Sequence, residues 1–199
     1  MPLARYDPIL PSMNSSSSLR NHFLIAMPTL DDPNFSHTVT YICEHSEEGA
    51  MGLIINRLME ISLGDVLVQM EIEPSRKLNT SVAVHEGGPV HPEQGFVIHS
   101  PLGAWQSTLS ISDDIGLSTS RDILTAIAHG EGPSHHLIAL GYAGWGPGQL
   151  EQEIAQNTWL SGPISMEILF ELPLENRWAA AAGLLGVDLN LISSEFGHA

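Results

Sequence analysis

Apolar and polar residues alternate over several short stretches of the chain, which predicts β-strands. The first predicted strand is His22–Met27, and Pro28 ends it. The segments Thr38–His45 and Ala50–Asn56 flank the turn Ser46–Gly49 and together predict a hairpin. Further strands are predicted at 81–85, 95–99, 108–111 and 136–142.

Apolar residues spaced three and four apart predict four helices. Ser62 caps Leu63–Met70, whose inner face carries Val66, Leu67 and Met70. A second helix begins after Ser118 or Ser120 and ends at Gly130. The remaining helices are predicted at 147–156 and 176–185, while the apolar segment 167–171 has no assigned type.

The order of these elements predicts one mixed α/β domain. Several strands precede the first clear helix and later strands alternate with helices, a mixture that excludes a helical bundle and simple βαβ winding. Residues 1–20 contain three prolines and the run Ser15–Ser18, and are predicted to form a flexible leader. The domain is therefore predicted to span residues 21–199, a length sufficient for a sizeable core.

Charge and composition restrict the class of partner. The 199 residues carry 7 Lys and Arg against 23 Asp and Glu, a net charge of −16. Since binding to DNA or RNA rests largely on cations that neutralise phosphates, direct nucleic-acid binding is disfavoured. No apolar run approaches the roughly 18 residues that cross a bilayer, and the prolines near the start interrupt any signal peptide. With one cysteine, Cys43, the chain is expected to be cytoplasmic and to contact no membrane.

The segment Gly141–Ile154 contains four glycines, a proline and a tryptophan within its first eight residues. It is predicted to be a loop between a strand and a helix, with Pro147 at the first helical position and the Gln149 side chain reaching back to cap it. Dinucleotide-binding and P-loop patterns both fail, because Gln149 replaces a glycine and Pro147 replaces a lysine. A tight structural turn is favoured over an anion-binding loop.

Other candidate chemistry finds little support in the residue spacing. Glu151 and Glu153 lie two apart on a helix and face different sides, so they are not an acid–base pair. The ten histidines include no i, i+4 zinc motif, and neither a metal nor a cofactor is expected. Cys43 is expected to be a buried, inert thiol.

Two further segments stand out from the pattern. Asn56 and Arg57 close an apolar strand, and the favoured role for Arg57 is a salt bridge to one of the many carboxylates. Gly87, Gly88 and Pro89 form a turn after a strand that ends in His85-Glu86.

Taken together, these motifs resemble the YqgE/AlgH family. The resemblance rests on HFLIAMP (22–28) with Asp31-Asp32 and Phe35, TVTYICEH (38–45), GAMGLIINR (49–57), EGGPV (86–90), GFVIHS (95–100), GYAGWGPGQLEQEI (141–154) with Asn157 and Trp159, then Trp178 and SSEFGHA (193–199). It implies one compact domain with a bulged, barrel-like, largely antiparallel sheet surrounded by helices. It also suggests a role in transcriptional control and supplies no catalytic residues.

Three functions remain open. The first is a non-enzymatic cytoplasmic regulatory or interaction protein that acts through a protein partner or small ligand. The second is a small-molecule binder or enzyme that uses the same loops, with His85 or Glu86 as a polar group. The third is a direct DNA-binding regulator, which the net charge disfavours. The candidate binding residues are Asn56, Arg57, Gly87, Gly88, Pro89, Gly144, Trp145, Gly146 and Gln149.

Overall fold

A computed structural model describes residues 18–189 and 191 of the chain. The part described contains ten strands and four helices. The strands are β1 His22–Ala26, β2 Val39–Ser46, β3 Gly49–Ile54, β4 Leu58–Ser62, β5 Ala83–Glu86, β6 Val90–Ser100, β7 Thr108–Ser110, β8 Gly116–Ser118, β9 His135–Trp145 and β10 Trp159–Pro163. The helices are α1 Leu63–Gln69, α2 Arg121–His129, α3 Gln149–Ala155 and α4 Leu174–Gly183, with a π-helical turn at Glu167–Glu171.

The strands form one curled sheet in the order β10-β1-β2-β3-β9-β6-β8-β7. Strand β5 pairs with β4 and, in the one parallel pairing described, with β9. Register shifts occur between Ile42 and Glu44 of β2 and between Val90 and Gly95 of β6. The mixed α/β domain with a bulged, barrel-like, largely antiparallel sheet is thus confirmed.

Both faces of the sheet are buried, as β1 shows. Its Phe23 and Ile25 pack in a core that includes Ala181 of α4, whereas Leu24 packs on the other face with Leu150 of α3. The side chains of successive strand residues point to opposite faces of the sheet, so the apolar side chains of β1 contribute to two cores. A third core, of β6, β9, α1 and α2 residues, lies farther along the sheet.

The predicted elements with local signals are confirmed. The hairpin of β2 and β3 forms, and Ser62 caps α1 with a full capping box in which Asp65 takes part. Gly130 ends α2 in the left-handed conformation. The inner face of α1 differs from expectation, since Leu63 and Leu67 are buried while Met70 is exposed.

The glycine-rich segment differs from the prediction. Strand β9 continues through Gly141 and Gly144 to Trp145 instead of ending at Tyr142. Helix α3 begins at Gln149, two residues later than expected, because Gly148 adopts a left-handed conformation (φ 72°) that interrupts the helix. Strands β4, β8 and β10 had no clear sequence signal. Residues 1–17 of the predicted leader and the closing motif at 193–199 lie outside the part described.

The glycines of β9 allow a close contact between two backbone segments. A Cβ atom on Gly87 would lie closer than 3.0 Å to the carbonyl oxygen of Gly141, and one on Gly141 would meet the carbonyl oxygen of Gly88 equally closely. Gly88 itself has φ +148° and abuts the Tyr142–Ala143 peptide. These glycines are therefore required for contact within the sheet.

We predict that Gly88→Ala lowers the free energy of unfolding by at least ~3 kcal/mol, because backbone strain and a clash with β9 add together. Gly130→Ala is the matched control: its φ is also positive, at +80°, but nothing lies within 4 Å of the new Cβ. The control is expected to lose only ~1 kcal/mol. Urea denaturation measures both losses, and equal losses would contradict the close contact.

Candidate functional site

Asn56 lies just after β3 and fixes the loop that precedes β2. Its side-chain oxygen accepts a hydrogen bond from the backbone amide of Val39 (2.8 Å), and its side-chain nitrogen donates to the His37 carbonyl (2.9 Å). The amide side chain thus serves both as acceptor and as donor to one loop. The side chain of Asn56 therefore stabilises the conformation of this loop.

Arg57 binds the same loop through its guanidinium group. It donates to the carbonyl oxygens of Pro33 (2.7 Å), Asn34 (2.8 Å) and Ser36 (2.8 Å). The expected salt bridge is wrong: no ion pair in the described part of the chain includes Arg57. The difference arises because three backbone carbonyl groups accept hydrogen bonds from the guanidinium. Few of its N–H groups are then left to bind a carboxylate.

Gly87 and Gly88 lie between β5 and β6, are buried against β9 and line none of the cavities described below. The amide of Gly87 donates to the Leu140 carbonyl (2.8 Å), and its carbonyl accepts from the Ile54 amide (2.9 Å). Pro89 is exposed at the start of β6. This segment thus joins β3 to β9.

Gly144, Trp145 and Gln149 do line a cavity. It encloses about 300 Å³ and lies between the end of β9, helix α3 and the loop before β2. Gly146 is adjacent, and its amide donates to the side-chain oxygen of Gln149 (2.9 Å). This expected hydrogen bond forms, but it does not cap α3, because Gly148 and not Gly146 precedes the helix. We call this space the Trp145 cavity; its lining residues are Leu30, Asp32, Phe35, Gly144, Trp145, Gln149, Glu153, Thr158 and Trp159.

Three aromatic rings form one wall of the Trp145 cavity. The ring centroids of Phe35, Trp145 and Trp159 lie 5.6 to 6.2 Å apart. Both indole N–H groups donate to the same oxygen of Glu153, at 3.0 Å from Trp145 and 2.8 Å from Trp159. The other oxygen of Glu153 accepts from the side chain of Gln149 (2.9 Å). The carboxylate thereby fixes the two indoles, which are nearly fully buried.

A second, open groove adjoins the Trp145 cavity. It encloses about 660 Å³ along β2, β3, β6 and β9, and it shares Gly144 and Trp145 with the first cavity. The two cavities nevertheless lie on different faces of the sheet, since Phe96 of the groove packs in the core with Phe23 and Trp159 of the cavity packs in the core with Leu24. We call the pair the acidic trough. The second groove is lined by Glu44, Ser46, Glu48, Gly49, Ala50, Met51, Val90, Gln94, Phe96, Tyr142, Gly144 and Trp145.

All the charged residues that line the acidic trough are acids. Glu44 and Glu48 are exposed in the open groove, and Asp32 and Glu153 line the Trp145 cavity. Neither lining includes an arginine or lysine. The trough therefore combines a negative potential with aromatic and apolar contact area.

The sequence locates part of this site. It names Gly144, Trp145, Gly146 and Gln149, and the structure places these four together. Asn56 and Arg57 support it indirectly, because they hold the loop that carries Asp32 and Phe35. The open groove on β2 and β3 was not foreseen, and Phe35 and Trp159 entered only through the family resemblance.

Reactive groups elsewhere in the described residues are scattered. No group of three His, Cys, Asp or Glu residues there could hold a metal ion. Burial raises the pKa of Cys43, whose thiol contacts the Tyr41 carbonyl, so the expected burial of this thiol is confirmed. Glu151 bonds to His45 (2.7 Å) while Glu153 faces the indoles, so the two carboxylates do face different sides. None of the described helices has the length and apolar character to span a membrane.

The fold and trough define a single-domain α/β protein with an open groove lined by acidic residues. The sequence model described as AlgH-like matches residues 23–190, and the chain belongs to this family. A UPF0301 protein of Thioalkalivibrio sulfidiphilus is 57% identical over 94% of this chain and 100% of its own length. One from Nitrosococcus oceani is 53% identical with the same coverage.

Solved structures agree with this assignment. The solution structure of AlgH from Pseudomonas aeruginosa has a TM-score of 0.76 and 48% identity, covering 94% of this chain and 98% of that one. A protein from Corynebacterium diphtheriae shares the fold with a TM-score of 0.70 at 19% identity, covering 96% of this chain and 94% of that one.

We predict that Glu153→Ala destabilises the protein by roughly 2–4 kcal/mol, because it leaves two buried indole N–H groups without an acceptor. The control is Gln152→Ala, which removes an exposed side chain from the same helix and should cost under ~1 kcal/mol. Chemical denaturation followed by tryptophan fluorescence compares them. Similar losses in both variants would contradict the role given to Glu153.

His85 provides a pH-dependent prediction. Its Nδ1 donates to the Ile138 carbonyl (3.3 Å), its Nε2 is buried without a partner, and burial, followed by the charge of Arg177, lowers its pKa from 6.5 to about 4. The unfolded chain therefore takes up this proton first, and stability falls as the pH drops from 6.5 to 4. In His85→Gln the loss across this window should be ~2–3 kcal/mol smaller, measured by urea unfolding at both pH values. An equal loss of stability between these pH values in the wild type and in His85→Gln would exclude this contribution of His85.

Proposed function

We propose that this chain is a non-enzymatic, cytoplasmic interaction protein that binds a basic segment of a protein partner in the acidic trough. The observation that carries the proposal is the pair of cavities that share Gly144 and Trp145 and are lined by four carboxylates and no lysine or arginine. A regulatory effect on transcription would then follow indirectly, through the partner.

The shape of the acidic trough favours an extended peptide. The open groove follows β2, β3, β6 and β9, and the Trp145 cavity lies on the other face of the sheet, at the end of β9. Met51, Phe96 and Tyr142 supply apolar floor in the groove, and Phe35 adds an aromatic ring in the cavity. Alternating basic and apolar side chains would meet both features.

Charge supports a cationic occupant over nucleic acid. Glu44 and Glu48 have no hydrogen-bonded or ionic partner for their carboxylates within the described residues, apart from the electrostatic effect of Glu44 on Cys43. A phosphate backbone would meet these charges unfavourably, whereas lysine or arginine would neutralise them. The trough thus favours the partner-binding hypothesis over direct DNA binding.

A substitution that adds a positive charge at Gly144 tests the proposal. Gly144→Arg places a long cationic side chain in the open groove, where its Cβ meets only the Tyr142 ring at 3.3 Å and Val90 at 3.9 Å. Gly183→Arg is the matched control, because it adds the same charge at an exposed helix position with nothing within 4 Å. The probe is a synthetic peptide of roughly nine residues, alternating lysine with apolar residues, which spans ~30 Å when extended.

Calorimetry at low salt should show that Gly144→Arg weakens peptide binding at least ~tenfold, while Gly183→Arg binds nearly like the wild type. The double variant Glu44→Gln, Glu48→Gln removes charge without added bulk and should weaken binding several-fold. Wild-type affinity in both trough variants would refute the proposal. Duplex DNA that bound at low salt, in place of the peptide, would favour the direct DNA-binding alternative.

A further inference from the structure

A separate and more enclosed cavity lies between α1, α2 and the sheet. It has a volume of about 240 Å³, and we call it the α1–α2 cavity. Its roof includes Val66 of α1, Met70 directly after that helix, and Leu124 of α2. None of the binding residues predicted from the sequence lines it. It therefore requires its own explanation.

The floor of the α1–α2 cavity explains why the space exists. Strands β6 and β9 pair Gly95 with Leu140 and Val97 with Ile138, and all four residues line the cavity. Three of them supply apolar side chains, while Gly95 supplies none. A Cβ atom at Gly95 would meet only Leu140, at an ordinary 3.7 Å. The cavity is thus a gap in an otherwise filled apolar layer.

Arg121 provides a positive charge at the edge of this cavity. Its Nη2 atom donates to the carbonyl oxygens of Met70 (2.8 Å) and Glu71 (3.1 Å), which holds the guanidinium beside the roof. No ion pair in the described part of the chain includes Arg121. Glu93 also lines the cavity, but its carboxylate is highly exposed and lies 3.6 Å from His91.

We propose that the α1–α2 cavity binds a small apolar carboxylic acid, with its hydrocarbon body against the Gly95 gap and its carboxylate at Arg121. Apolar walls with one oriented charge are typical of small-ligand sites. The volume equals that of about eight water molecules, which suits a molecule of roughly ten non-hydrogen atoms. It is smaller than the ~300–1,000 Å³ of sites for drug-sized ligands.

Three probes of similar size and different charge test this assignment on the full chain. Phenylacetate carries the proposed carboxylate, phenylacetamide is its neutral counterpart, and phenethylamine carries the opposite charge. Calorimetry should show that phenylacetate binds about tenfold tighter than the amide, because a charged hydrogen bond to the guanidinium is lost in the amide. The amine should bind most weakly. In Arg121→Gln, phenylacetate should fall to the affinity of the amide.

Gly95→Val tests the location. The added side chain fills the gap in a strand, so it should abolish phenylacetate binding while the melting temperature stays the same or rises. Gly144→Val makes the same change in the acidic trough and should bind phenylacetate like the wild type. Unchanged binding in Gly95→Val would refute the site, as would the absence of binding by any probe at ~10 mM in the wild type. Equal affinities for acid and amide would refute the role of Arg121. These outcomes are independent of peptide binding to the trough.

Discussion

The close contact of Gly87 and Gly88 with β9 is the constraint on which the rest of the structure depends. Gly87 donates to Leu140 and accepts from Ile54, so a single residue connects β9 to β3. Any side chain at Gly87, Gly88 or Gly141 would force these backbones apart. Because the contact holds, β9 can pair with β5 and β6 in its first half and with β3 in its second half.

This division of β9 positions both cavities. Ile138 and Leu140, before the bend at Gly141, form part of the floor of the α1–α2 cavity. Gly144 and Trp145, after the bend, line both cavities of the acidic trough. In both places a glycine leaves space: Gly95 creates the enclosed gap, and Gly144 leaves the open groove free beside Tyr142 and Val90. Absent side chains thus shape both proposed sites.

The sequence predicts those features that depend on neighbouring residues. The β2–β3 hairpin, the Ser62 cap and the Gly130 stop each follow from a short local pattern. The path of β9 does not, because a glycine that permits close contact has the same sequence pattern as one that forms a turn. The partners of Arg57 were missed for a related reason: they are backbone carbonyls, which no side-chain pattern reveals. Phe35 reaches Trp145 only through the fold.

The hydrogen bonds made by the arginines also explain why no cation neutralises the carboxylates of the acidic trough. Arg20, Arg57, Arg121 and Arg177 all donate to backbone carbonyls, and the ion pairs found in the described residues involve histidines instead. Arginine in this protein stabilises loops and helix ends. It therefore neutralises few of the 23 carboxylates by direct contact. The net charge of −16 therefore stays largely uncompensated at the surface, and the negative potential of a groove without a cation of its own is the physical basis of the proposed basic partner.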